Sequence, residues 1–358
     1  MELPNEGIID SARLSRIFDK TSAPYKFYWF VSIINRLVAN PDRRLFSFDE
    51  IIAEMIAEAW YPIHYFRISF GKQDSLVDSI SELQRILDIP IDANIDRVRE
   101  TILRKSGMSS VKHCLHVFTL NVPYCFLSPW IPGATKSQVK KYSQQLFNNC
   151  PYSILDKTIA IDDRWAEYLI RNAAILKDFA FWNLSVFLQK RNPNVPEIPS
   201  KLTKPTHRAS LARQHRFWDR YIASVGGVKC IYTDEELKEG AYALDHFVPW
   251  SFVVHDLLWN LLPAAKSVNS SKSNSLPSLE RYLEPLSILQ QSALRLNFET
   301  NPSDTLFEDY LIFRCSIQEL VDAPQDRFIQ LMKNEFTPMI QTAKNMGFPM
   351  WINRPVYE

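Results

Sequence analysis

Residues Tyr242–Pro277 read YALDHFVPWSFVVHDLLWNLLPAAKSVNSSKSNSLP, which sets Asp245, His246, Asn260, Asn269 and Lys272 into an otherwise apolar, Trp-bearing run. The stretch is either a buried core that tolerates a few polar side chains or a metal-dependent active site. "VKCIYT" just upstream reads as a short strand, "YALDHFVPW" as a second extended segment, and "AKSVNSSKSN" as a loop entering a helix. The expected order from Val228 to about Asn274 is therefore strand, strand, helix.

Outward from this segment the chain is helical. In "SFDEIIAEMIAEAW" Ser47 can cap a helix, Glu50 can reach back to it, and Ile51, Ile52, Met55, Ile56 and Trp60 recur at helical spacing. "DSLVDSISELQRIL" repeats this logic with Asp74 as the cap. Trp165, Tyr168, Leu169, Ile175, Leu176, Phe179, Trp182 and Val186 form one long apolar stripe. "TLNVPYCFLSPWIPG" must interrupt helix, and "QKRNPNVPEIPSKLTKP" is the clearest linker. "THRASLARQHRFWDRYIASVGG" is a helix stopped by Gly226 and Gly227, and three more helical candidates follow Pro277.

Composition narrows the class. With 358 residues the chain exceeds the usual single-domain size. Its 46% hydrophobic and 23% charged residues suit a globular protein, and only 8 glycines argue against a Gly-rich β or nucleotide-loop architecture. The charge balance of +1 announces no global attraction to nucleic acid, so any basic patch must be local. Five scattered cysteines without a Cys-x-x-Cys pair disfavour both a disulfide framework and a four-cysteine zinc site, which fits a reducing compartment. No secretory signal opens the chain and no apolar run reaches the roughly 20 residues of a membrane span, so a cytoplasmic location without a membrane partner is expected.

The order and spacing of the polar residues in the opening stretch resemble the HNH endonuclease motif of the ββα-metal fold. Asp245-His246 begins it, Pro249 follows, Asn260 lies 14 positions after His246, Asn269 a further 9, and Lys272 closes it. The same Asp-His, Asn, Asn, Lys spacing is similar to the HNH domain of RNA-guided CRISPR effector nucleases. Many HNH proteins add Cys-x-x-Cys pairs that bind structural zinc; here Cys230 stands alone, so no structural zinc is expected and Cys230 is read as a small apolar residue on the first strand.

The residue types also suit the chemistry. Phosphodiester hydrolysis needs a deprotonated water, a cation on the phosphate oxygens and a rigid frame. His246 is the expected general base, since an imidazole is neutral enough near pH 7 to take a proton. Asp245 and Asn269 offer hard oxygen ligands for Mg²⁺ or Mn²⁺. Adjacent strand residues point to opposite faces, so Asp245 and His246 can serve one site only if the chain bends or the metal lies at the strand's end. Asn260, placed in the loop between the second strand and the helix, is implied by the resemblance to hold the His-bearing backbone. Lys272, one turn from Asn269, can hold a phosphate.

Other features also admit ordinary structural roles. His255 and Asp256 fall in a variable part of the loop and are expected to face solvent. "HCLH" at His113–His116 lacks a second ligand cluster and is read as structural. "TSAPYKFYWFVSIINRLV" could stack on bases but reads better as a core helix. The run from Lys201 to Arg220 is basic (Lys201, Lys204, Arg208, Arg213, Arg216, Arg220); Lys204, Arg208, Arg213 and Arg216, with Lys266 and Lys272, are the expected contacts to a nucleic-acid backbone.

The expectation is a mainly α protein: a helical domain over 1–195, a Pro-rich linker over 196–205, an HNH nuclease core over 206–285 and a helical C-terminal region over 286–358. DNA is the expected substrate, with an RNA-cleaving toxin or a non-cleaving nucleic-acid-binding protein as alternatives. By family analogy the helical domain is a regulatory or partner-protein module of the kind carried by bacterial defence nucleases.

Overall fold

The computed structural model describes residues 2–5, 7, 9–71, 75–145, 149–205 and 208–352; Asp74, expected as a helix cap, lies outside them. The protein is mainly helical, 59% helix and 7% strand. It divides into two units, Met1–Pro193 with Ile198–Lys204, and Asn194–Glu197 with Pro205–Glu358.

In the first unit the Phe48–His64 helix starts as its sequence dictates. Ser47 Oγ accepts from Glu50 N at 3.3 Å, and Glu50 Oε2 accepts from Ser47 N at 2.9 Å. These two bonds satisfy donors that the first turn leaves orphaned. Beside it the Tyr25–Ala39 helix buries Phe27, Trp29, Ile33 and Leu37, so the aromatic run from Thr21 to Val38 is mostly core. A small antiparallel sheet of β1 (Leu45–Ser47), β3 (Thr158–Ile161) and β2 (Tyr152–Ile154) closes one side of the core.

The stripe from Trp165 to Val186 is not one helix. It splits into Asp163–Arg171 and Ala173–Gln189 at Asn172, whose φ of −102° and ψ of 16° leave the helical region. The Asn172 side chain donates to Tyr168 O at 3.1 Å, offering the backbone a local alternative to helix continuation. Past the break Ile175, Trp182 and Val186 are exposed, so the stripe is only partly core.

In the second unit the Ala212–Val225 helix ends at Gly226, which has a φ of 79°. Gly227 follows at φ 138°, where an added Cβ would lie 3.0 Å from Glu236 Oε1. Among the described residues the next two strands, β4 (Val228–Lys229) and β5 (Glu236–Leu237), pair only with each other. "VKCIYT" is thus not the partner of the Asp-His strand. That strand, β6 (Ala243–His246), pairs antiparallel with β7 (Leu261–Ala264), with Asp245 opposite Leu262 and His246 opposite Leu261. Pro263 interrupts β7's donors, which is tolerated in a two-stranded ribbon. The Lys266–Lys272 helix follows directly and packs on β6.

No boundary falls at 285/286. The Leu279–Thr300 helix runs through Pro285, and one apolar core extends from Phe217 to Phe348. The C-terminal helices therefore complete the hydrophobic interior around β6 and β7, with Phe336 of the Gln325–Asn345 helix against both Phe247 and Trp259. "SDTLFEDYLIFRCSIQEL" is a 3-10 segment over Thr305–Phe313 followed by a short helix, Ile317–Asp322.

Candidate active site

Asp245 and His246 end β6 and face different surroundings, as alternation along a strand requires. Asp245 is buried, 3% exposed, and both carboxylate oxygens are engaged. Tyr232 OH donates to Oδ2 at 2.8 Å, and Lys272 Nζ lies 3.0 Å from Oδ2 and 3.2 Å from Oδ1. Lys272 Nζ also donates to His246 O at 2.6 Å. Burial pulls the Lys272 pKa down while the Asp245 carboxylate pulls it back up. Burial, with Asp245 alongside, pushes Tyr232 well above its ordinary value, so its hydroxyl remains a donor.

Lys272, read from the sequence as able to hold a phosphate, is instead buried. Its side chain is fully buried and ties the site helix to β6 through one carboxylate and one carbonyl. An unpaired carboxylate at Asp245 would be costly in this interior, and Lys272 supplies the pairing charge.

His246 meets a residue expected to face solvent. Its Nε2 lies 2.8 Å from Asp256 Oδ1, with the side chains only 13% and 17% exposed. An ionised carboxylate can only accept, so for a neutral imidazole Nε2 carries the proton and Nδ1 presents its lone pair. The turn bearing Asp256 is fastened on both sides: Gln214 donates to Asp256 O at 3.1 Å, and Asp309 accepts from Leu258 N at 2.9 Å. His255, half-buried, sets its ring 5.5 Å from Trp259.

Asn260 stands just before β7, in the turn Leu258–Asn260 between the paired strands, not between the second strand and the helix. Fully buried, it clamps Val248: Oδ1 accepts from Val248 N at 2.8 Å and Nδ2 donates to Val248 O at 2.9 Å. The backbone two residues past His246 is thereby pinned. Gln290 fixes the same turn from the long helix, donating to Leu258 O and Leu261 O while Tyr310 donates to its Oε1. Val254 and Ser273 adopt left-handed φ of 59° and 43° on either side of the site, strain that this packing must support.

Asn269 is half-exposed on the Lys266–Lys272 helix, one turn before Lys272. Among the described residues no group of three or more His, Cys, Asp or Glu side chains gathers as a metal cage. The donors nevertheless suit a hard cation in kind, since Asp245 and Asn269 contribute a carboxylate and an amide oxygen. The Lys272 ammonium already lies against that carboxylate, in the manner of a resident cation. Cys230 is buried and its sulfur accepts from Ala265 N at 3.5 Å, a packing role.

The basic residues are dispersed. Lys204 belongs to the first unit, where it donates to Asp92 O at 2.6 Å and lies over the Tyr61 ring. Lys201 is fully buried in the same unit. In the second unit Arg208 stacks on Trp250, Arg213 is held by Thr305 and Asp304, and Arg220 bonds Asn297. Arg216 and Lys266 are exposed and pair with no carboxylate among the described residues.

A family model described as HNH endonuclease matches residues 230–278, the segment from Cys230 through both paired strands and the site helix. No curated protein and no solved structure matches the chain. The matched segment is similar to a nuclease module, which points to phosphodiester hydrolysis on a nucleic acid. Among the described residues no helix is long and apolar enough to cross a membrane.

Proposed function

We propose that the protein is a metal-dependent HNH endonuclease that hydrolyses DNA, with His246 as the general base. The observation that carries this reading is the pairing of His246 Nε2 with Asp256, on backbone clamped by Asn260. A base must be held in one tautomer and one orientation to take a proton from water, and a carboxylate behind the ring does both. Nδ1 of His246 is then the atom that accepts the proton, and Asp256 steadies the imidazolium that results.

Asp245 and Asn269 would hold the divalent ion, Mg²⁺ or Mn²⁺. That ion supplies charge stabilisation at the phosphate oxygens and acidifies water. Lys272 pairs with the Asp245 carboxylate and fixes the His246 carbonyl, so it is a positioning residue here. Arg216, Lys266 and the Trp250-stacked Arg208 would meet the phosphate backbone, giving affinity without sequence preference. A role in bacterial defence, with the helical unit as a regulatory or partner-binding module, follows from family analogy, as does similarity to the CRISPR-effector variant.

The test is cleavage of plasmid, single-stranded DNA and RNA by the full chain, with Mg²⁺, with Mn²⁺ and with a chelator. Metal-dependent cutting of DNA is the expected result. Salt-sensitive binding of DNA without cutting under any metal condition contradicts the enzymatic reading, and cutting confined to RNA contradicts the substrate.

A further inference from the structure

We propose that the helical unit binds a nucleoside phosphate in a cavity of about 960 Å³ beside the start of the Tyr25–Ala39 helix. Three cations line it, Lys20, Lys26 and Arg191, and no carboxylate lines it among the described residues. Nothing in the nuclease reading uses these residues.

Lys26 is the central group. It is half-buried, burial lowers its pKa, and among the described residues only the Cys125 thiol acts in the opposite direction. No carboxylate pairs with it among the described residues; its Nζ makes one long bond, 3.4 Å, to Ile17 O. A partly desolvated ammonium without a counter-charge is costly, and an incoming anion relieves that cost. Arg191 is fixed in advance. Its Nη1 and Nη2 donate to Phe187 O and Ser22 O, its plane lies 3.6 Å from the centre of the Phe187 ring, and its Nε edge faces Gly71. A guanidinium held this way loses little entropy when it meets a phosphate.

The remaining wall explains why the ligand is larger than an inorganic ion. The volume lies at the upper end of small-molecule sites. Phosphate alone would leave the apolar surface of exposed Leu120 and half-buried Val117 wet. Half-buried Tyr25 adds a ring against which a planar base can stack. Three positive charges favour a ligand with more than one negative charge, which a phosphate provides and a single carboxylate does not.

Exposed Cys125 lines the same cavity and serves as a reporter. The experiment titrates the full chain calorimetrically with ATP, GTP, CTP, UTP, AMP and inorganic pyrophosphate. Alkylation of Cys125 by iodoacetamide is followed in parallel by peptide mass spectrometry. At least one nucleotide is expected to bind saturably and to slow Cys125 alkylation. Lys26→Met, which keeps the apolar stem, is expected to weaken that binding about tenfold or more, and the exposed Lys20→Ala severalfold, as loss of charge-assisted bonds implies. His246→Ala is expected to leave it unchanged. Absence of nucleotide binding overturns the proposal, as does pyrophosphate binding alone. Nucleotide binding that is indifferent to both lysine variants, or that depends on His246, also overturns it.

Discussion

Asp245 and His246 are neighbours in one strand, yet they occupy opposite kinds of environment. Asp245 is sealed in, its oxygens taken by Tyr232 and Lys272, so its surroundings maintain charge and structure. His246 retains partial exposure, with its Nε2 committed to Asp256. The difference teaches that a two-residue motif can divide its labour: in the proposed reaction the buried Asp245 would serve the ion at the strand end, while the partly exposed His246 would take the proton. The same division separates the two asparagines, Asn260 fully buried and locked onto Val248, Asn269 half-exposed on its helix.

That contrast can be broken from the anchoring side first. Lys272→Met should cost about 3–5 kcal/mol of stability, because it leaves Asp245 buried without its cation. Chemical denaturation of the purified variant checks this, and adding Asp245→Asn should recover part of the loss. A Lys272→Met protein as stable as wild type would mean that the ion pair does not form. Asn260→Ala should cost roughly 2–3 kcal/mol by orphaning the Val248 N–H and C=O, with faster hydrogen exchange at Val248 as its signature.

Changes on the reactive side are smaller in stability and larger in kinetics. Asp256→Asn should leave folding intact while lowering cleavage roughly 10- to 100-fold and altering the pH–rate profile, because an amide can also donate and so admits the wrong imidazole tautomer. An unchanged profile would reduce Asp256 to a surface partner. The smallest effect expected is Tyr232→Phe, which removes one bond to a charged group, about 1.5 kcal/mol. The folded Tyr232 holds its proton well above 10 whereas the unfolded phenol releases it near 10. Above pH 10 the unfolded state therefore binds fewer protons and wild-type stability falls with rising pH; Tyr232→Phe should flatten that fall.

Local signals were legible in the sequence, and contacts closed by tertiary folding were not. The Ser47–Glu50 capping box and the Gly226 stop act within a few residues, so each could be read directly. The spacing of Asp245, His246, Asn260 and Asn269 likewise marked the segment that matches the HNH family model. The partner of β6 was missed because "LLPA" contains a proline and no alternation, and it pairs only after a turn stabilised by Gln290 and Asp309 from distant helices. Asp256 looked like loop polarity because its role depends on that same turn. The burial of Lys272 was not legible for a physical reason: lysines are ordinarily solvated, and the buried Asp245 makes this one an exception. Asn172 broke a helix that apolar periodicity alone would continue.

The role proposed for His246 is that of general base. It is tested most directly by single-turnover cleavage of DNA with Mg²⁺ or Mn²⁺, comparing wild type with His246→Ala after both are shown to be folded. A loss on the order of 10² to 10⁴ in rate at unchanged DNA affinity is the expected result. Cleavage by His246→Ala within a few-fold of wild type would contradict the account.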